Sequence, residues 1–340
     1  MESPRKELHL SNIDVLRGLA ALAVCCFHFS DDNYLGSNVI QSVFRKGYYG
    51  VDVFFVISGF VIPLALHRSG YRLGNIGEFL IKRGKRLYPA YAAALFLAVG
   101  LWVLAGFLPG FRGSGFQFDV FQFLSNLTLT SGFTGHAWYI PVFWTLAIEC
   151  QYYFLIALCF PLFVSRLLWL QLIGLSAWIV APLIISMDAT VFPWTSLFAM
   201  GIISYLIWGK LLPLRSGLTL LALSSAVTFW QKGVFSGSLG LATIGLILFA
   251  PQLKNRAMIW LGTISYSIYL VHVPIGGKVI NLSKRLPDFP HYKAGAFIAA
   301  TVVTIGCAYL FHKFIEAPSH RWAKRPAPKS TLPISINPPT

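Results

Sequence analysis

The stretch Ile13–Phe29 reads IDVLRGLAALAVCCFHF, and its reading decides the fold. After Arg17, ten residues pass without a charge before His28. With its flanks, the run approaches the ~20 apolar residues that cross a bilayer as one helix. It is not a cleaved leader, because SDDNY follows Phe29 where a small-residue cleavage site would stand. Similar stretches recur at about 49–66, 89–108, 139–163, 167–187, 192–208, 214–230, 236–251, 258–276 and 294–316. The expected fold is therefore all-α, a polytopic membrane protein of about ten transmembrane helices. The pair at 214–251 is the least sharply bounded.

Composition agrees. Charged residues make up only 11% of the 340, against about 25% in ordinary soluble proteins, while hydrophobic residues reach 56%. The 27 Lys and Arg against 12 Asp and Glu leave a net charge of +15. Nucleic-acid binding would explain the charge but not the apolar bulk, and disorder is excluded by the hydrophobicity. Ten spans put both termini on one side. With that side cytoplasmic, the basic residues divide 19 inside to eight outside, as the positive-inside rule requires. The expected organisation is a cytoplasmic N-terminus over 1–12, a transmembrane domain over 13–316 and a basic, Pro/Ser-rich cytoplasmic tail over 317–340, disordered by its composition. No internal repeat is visible, which counts against many transporter folds. The five cysteines fall in spans without metal-ligand spacing and read as small apolar fillers.

The informative residues are the ionisable ones in apolar surroundings, since burying a charge in lipid costs a few kcal/mol or more. Arg17 and His28 are eleven residues apart. At 100° per residue they share a helix face, roughly 16 Å apart along the axis. Asp14 lies on that face too. Arg17 also reads as a snorkelling topology signal, and His28 as a packing residue. In Gly47–Phe60, GYYGVDVFFVISGF, Asp52 falls at a depth close to that of His28. Beside it, Asp52 would hold one ring nitrogen protonated and leave the other as a base; at the interface it would simply be hydrated. In Phe79–Tyr91, FLIKRGKRLYPAY, one helical turn presents Arg83 and Arg86 together. They suit bidentate phosphate recognition or anchoring at anionic lipid. In Trp144–Phe154, WTLAIECQYYF, Glu149 lies near the bilayer middle, where it must be protonated, paired or facing water; it would either meet Arg17 or help a proton leave the site. His272, just before Pro274, reads as a packing or hydrogen-bonding histidine.

Taken together these segments resemble the acyltransferase family 3 membrane proteins, bacterial enzymes that O-acylate cell-surface carbohydrates. Arg17, ten residues, then His28 match the family's Arg–His spacing. Gly50–Phe60 is similar to its G-V-D-x-F-F-V-x-S-G-F block, and Arg83 with Arg86 to its R-x-x-R. Trp144–Tyr153 is similar to W-S-L-x-x-E-x-Q-F-Y, Leu261–Pro274 to L-G-x-x-S-Y-x-x-Y-L-x-H-x-P, and Ile315–Pro318 to the closing I-E-x-P. Six blocks in family order cover residues 13 to 322. Cys150 departs from the pattern, standing where many members carry a second acid, and Pro141 and Phe143 make the approach to that block unusual. No SGNH-type domain follows the last span, so the stand-alone type is expected.

The resemblance implies an integral membrane O-acyltransferase of the bacterial inner (plasma) membrane. Its donor would be cytoplasmic acyl-CoA, acetyl-CoA in the usual case, used as a substrate rather than a bound cofactor. The acceptor would be a sugar hydroxyl of a lipid-linked or surface polysaccharide such as O-antigen or exopolysaccharide. Arg17, Arg83 and Arg86 would hold the donor's phosphates, and His28, Asp52 and Glu149 would form the catalytic set. His28 would act as general base or as an acyl relay. Other acceptors, an antibiotic or a lipid, fit the same chemistry, and a polyprenyl-linked sugar transporter or flippase would also place charges in spans. Membrane lipids are expected partners; nucleic acid and metal are not.

Overall fold

The computed structural model describes residues 10–31, 34–36, 38–107, 117–287 and 289–324. Among them every regular element is helical. The helices used below are α1 (Ser11–Phe29), α2 (Gly50–Arg68), α3 (Ile76–Gly106), α4 (Phe143–Phe163), α5 (Leu168–Ile184), α6 (Thr195–Trp208), α7 (Leu214–Leu248), α8 (Arg256–Thr263), α9 (Ser265–Val271), α10 (Pro290–Phe311) and α11 (Ala317–Lys324).

Each of the ten apolar segments is helical, but a count of about ten crossings is not confirmed. Six stretches are long and apolar enough to cross a membrane, and seven if the pair Arg256–Thr263 and Ser265–Ser283, bent by 53°, is one span. Two departures account for most of the difference. The segments at 214–230 and 236–251 join into α7, interrupted only at Gly233, whose φ of 85° is open to glycine and strained for other residues. Helices α5 and α6 are 17 and 14 residues long, short of a full crossing. Helix α6 is apolar all round because protein surrounds it: every residue from Thr195 to Leu206 is buried.

Helix α1 is fixed at its start by Asn12, whose amide donates to Leu246 and Ala250 carbonyls, 3.1 Å each, and accepts from the Leu253 amide at 2.9 Å. One turn on it crosses α8 with backbones touching. A Cβ on Gly262 would lie 2.1 Å from the Asp14 carbonyl oxygen, and one on Gly18 2.9 Å from the Gly262 nitrogen. Small residues permit such approaches between helices in lipid. The far half of α1 receives the Gly47–Gly50 turn, where Cβ atoms would meet the carbonyls of Ala23 and Ala20. Both ends of α1, and hence Arg17 and His28, are thereby held.

Two π-helical turns follow, His272–Gly276 after α9 and His312–Glu316 after α10. Such turns insert one residue into the ladder and recur at functional sites. Helical structure continues beyond Glu316 into α11, which packs along α3 with Lys85 Nζ 5.0 Å from the Trp322 ring centre. Residues 325–340 of the expected tail and 1–9 of the expected N-terminus lie outside the described residues.

Candidate active site

The three arginines and the glutamate meet in one cavity between α1, α2, α3, α4 and α9. Arg17, Arg83, Arg86 and Glu149 line it, with Tyr153 and Tyr266 beside them, and it holds about 820 Å³ of space including its mouth. Helical phase explains the convergence. Arg83 and Arg86 are three residues apart on α3, and Glu149 and Tyr153 four apart on α4, so each pair presents one face.

Each group is positioned. The Arg83 guanidinium carbon lies 5.5 Å from both the Phe79 and Tyr153 ring centres, a cation–π bracket that orders the side chain. Tyr153 donates its hydroxyl hydrogen to Glu149, and Ser58 Oγ reaches the same oxygen at 3.5 Å. Tyr266 is anchored to the Leu87 carbonyl at 3.0 Å. Glu149 is the single carboxylate lining a cavity that three guanidiniums also line, and none of the three forms an ion pair within 4 Å among the described residues. Among the described residues the site therefore carries surplus positive charge with its guanidinium donors uncommitted, the property an anion-binding pocket needs. Arg17 and Glu149 share the cavity without touching as an ion pair.

The cavity runs from the arginines toward Thr145 and Tyr269, whose hydroxyls lie 2.7 Å apart. The Tyr269 ring centre is 5.8 Å from that of His272, which in turn is 5.2 Å from that of His28. His272 is fully buried; its Nδ1 hydrogen bonds to the Tyr269 carbonyl at 2.8 Å, and its Nε2 has no hydrogen-bond partner. His28 is half-buried and makes no side-chain hydrogen bond among the described residues, so both its ring nitrogens remain open to a bound molecule.

Asp52 does not meet His28. It is buried on the side of α7, beside Ser236 and the Lys232 ammonium. The acidic neighbour of His28 is instead Asp31. Phase is the reason: Gly50 faces α1, and two residues later the chain has turned 200° about α2, away from it. The companion of His28 is His272, which the sequence presents as a packing or hydrogen-bonding histidine rather than a site residue. The usable signal was its spacing three residues after Tyr269 and two before Pro274, whose missing amide hydrogen loosens the helix there.

A second buried cluster closes the fold near Arg17. Glu316 accepts from Ser267 and from His312 Nδ1 at 3.0 Å, with His320 Nε2 at 3.6 Å. No group of three or more metal-ligating side chains exists among the described residues. The described cysteines form no disulfide; Cys150 is exposed and lines a mostly apolar side cavity with Arg83 and Tyr153.

Comparison with known proteins agrees with this arrangement. Residues 10–313 match the family described as an acyltransferase domain, the third of that series. Nodulation protein 10 of Rhizobium leguminosarum bv. viciae is 25% identical over 92% of this chain and 93% of its own length. The O-acetyltransferase OatA of Staphylococcus aureus is 26% identical over 94% of this chain, but that match spans only 58% of OatA. No solved structure matches the chain. A family match over nearly the whole length, on a bundle of apolar helices, makes the chain a member of acyltransferase family 3: a membrane acyltransferase.

Proposed function

We propose that the chain transfers an acetyl group from acetyl-CoA to a sugar hydroxyl of a surface glycan. The observation that carries this reading is the arginine cavity, with surplus positive charge at one end of α1 and an open histidine at the other. The separation is about 16 Å along the helix. A CoA thioester has this polarity, with phosphates at one end, a long thin arm and the acyl group at the other. Arg17, Arg83 and Arg86 bind the phosphates, the arm lies past Tyr266 and Tyr269, and the thioester reaches the His28–His272 pair.

In this reading His28 takes the proton from the acceptor hydroxyl as the alkoxide oxygen attacks the thioester carbonyl. The new C–O bond forms, the C–S bond breaks, and the departing thiolate of CoA takes the proton back from His28. His272, its Nδ1 committed to the Tyr269 carbonyl, positions the His28 ring. The alternative, transient acylation of His28, uses the same geometry. The arginine end belongs at the cytoplasmic face of the bacterial inner membrane, where CoA is available, with both termini on that side for an even number of crossings, and the His28 end toward the outside, where glycan acceptors lie. Glu149 tempers the charge of the cavity, and Asp52 acts through Lys232 rather than on His28.

The test is purified protein in lipid nanodiscs with acetyl-labelled acetyl-CoA. Label moved to glycan, or released slowly as acetate without acceptor, is the expected result. A protein that neither binds nor consumes acetyl-CoA contradicts the reading and favours a carrier.

A further inference from the structure

A second cavity lies behind the same turn of α4. Thr145, Leu146 and Glu149 line the arginine cavity, whereas Trp144, Ala147 and Ile148 line this one. Its other walls are mainly aromatic, with Tyr48, Phe133, Trp138 and Trp194 beside the small and aliphatic Leu129, Gly132 and Ala189. The Trp144 and Trp194 rings are 5.0 Å apart at 36°. Two charged residues interrupt the aromatic surface, the exposed Asp188 and the half-buried Lys232, whose Nζ sits 3.5 Å over the Trp194 ring. The helix breaks at the next residue, Gly233. Trp194 Nε1 and one Asp52 oxygen are buried with no hydrogen-bond partner. Space in the cavity is about 1100 Å³, mouth included.

The lining selects among ligands. A pyranose offers one face of C–H groups and a rim of hydroxyls. Flat aromatic rings take the former by dispersion, and a carboxylate and an ammonium take the latter by hydrogen bonds. A lipid chain would prefer an unbroken apolar wall, which Asp188 and Lys232 interrupt. Charge narrows the choice further: the lining carries one carboxylate, Asp188, and one ammonium, Lys232, a neutral balance that offers an anionic sugar no surplus positive charge. Tyr48 joins the cavity to the transfer site. Its ring centre is 5.7 Å from that of Phe27, which is 4.9 Å from that of His28.

We infer that this aromatic cavity is the acceptor subsite and that it holds a neutral pyranose, stacked on Trp144 with its hydroxyls on Asp188 and Lys232. The inference rests on the glycan-acetylating reading above, but it can fail or stand separately. The experiment is saturation-transfer NMR on the full chain in nanodiscs free of sugar-headed detergent, without acetyl-CoA. The probes are methyl glycosides of glucose, galactose, mannose, rhamnose and N-acetylglucosamine, with methyl glucuronide as the anionic counterpart. Saturation of at least one neutral glycoside is expected, weakened about tenfold by Trp138→Ala or Trp144→Leu, the effect of one lost aromatic contact. Acetyl-CoA binding, measured in parallel on the same preparations, reports that each variant is folded. Protein that binds acetyl-CoA but no neutral glycoside overturns the assignment while leaving the donor reading intact. Glucuronide binding as strong as glucoside binding also overturns it. Glycoside binding without acetyl-CoA binding would instead remove the donor reading and keep the subsite.

Discussion

Replacing Arg83 by alanine should raise the acetyl-CoA concentration needed for half-maximal transfer while leaving the maximal rate nearly unchanged. Arg83 is bracketed by Phe79 and Tyr153 and forms no ion pair among the described residues, so its removal leaves no buried partner stranded. Glu149 keeps its bonds from Tyr153 and Ser58. What is lost is a charge-assisted contact to phosphate, about 1.5–3 kcal/mol. At 1.4 kcal/mol per factor of ten, the apparent KM should rise roughly 10- to 100-fold. Lysine should recover only part of this, because it keeps the charge but neither the planar fork nor the stacking. The assay is initial rate against donor concentration in nanodiscs, run also with acetyl-pantetheine, which lacks the nucleotide phosphates. The alanine effect should disappear with that truncated thioester. An unchanged KM for acetyl-CoA, or an equal rise for both donors, would refute phosphate binding by Arg83 and leave it a topology or lipid anchor.

Other outcomes follow from packing and buried polarity. Gly262→Ala drives a Cβ into the Asp14 backbone at 2.1 Å; overpacking of this kind costs about 1–3 kcal/mol, so the thermal unfolding midpoint in detergent should fall. Gly295→Ala in α10, with open space around its Cβ, is the control and should be neutral or mildly stabilising; equal midpoints for the two variants would contradict the α1–α8 contact. Glu316→Gln should destabilise by about 1–3 kcal/mol through weaker bonds to Ser267 and His312, and a double-mutant cycle with His312→Ala should be non-additive. Strict additivity would mean that the pair does not interact.

The sequence made the helical segments legible because lipid-facing and protein-buried helices alike are written as apolar runs. It did not separate the two, so nothing in its residues marks α6 as enclosed by protein. The Gly233 break and the π-helical turns depend on backbone detail that composition does not encode. At the site, pairs on one helix were readable: a three-residue spacing puts Arg83 with Arg86 on one face, and an eleven-residue spacing puts Arg17 with His28 on another. Pairs between helices were not. A short connection says that α1 and α2 are neighbours, but rotation about α2 decides whether Asp52 faces His28, and Gly50 sets that rotation by packing against Ala20. The aromatic cavity was invisible for the same reason, since its rings come from three separate parts of the chain, around 48, 133–144 and 194.

The central claim is that His28 performs the proton transfer, at the opposite end of α1 from the arginine cavity. It is tested most directly by His28→Ala in nanodiscs, with labelled acetyl transfer and acetyl-CoA binding measured on one preparation. Loss of transfer by about 10²–10⁴-fold, the usual worth of a general base, with donor binding retained, is the predicted result. Wild-type transfer by the alanine variant would contradict the account.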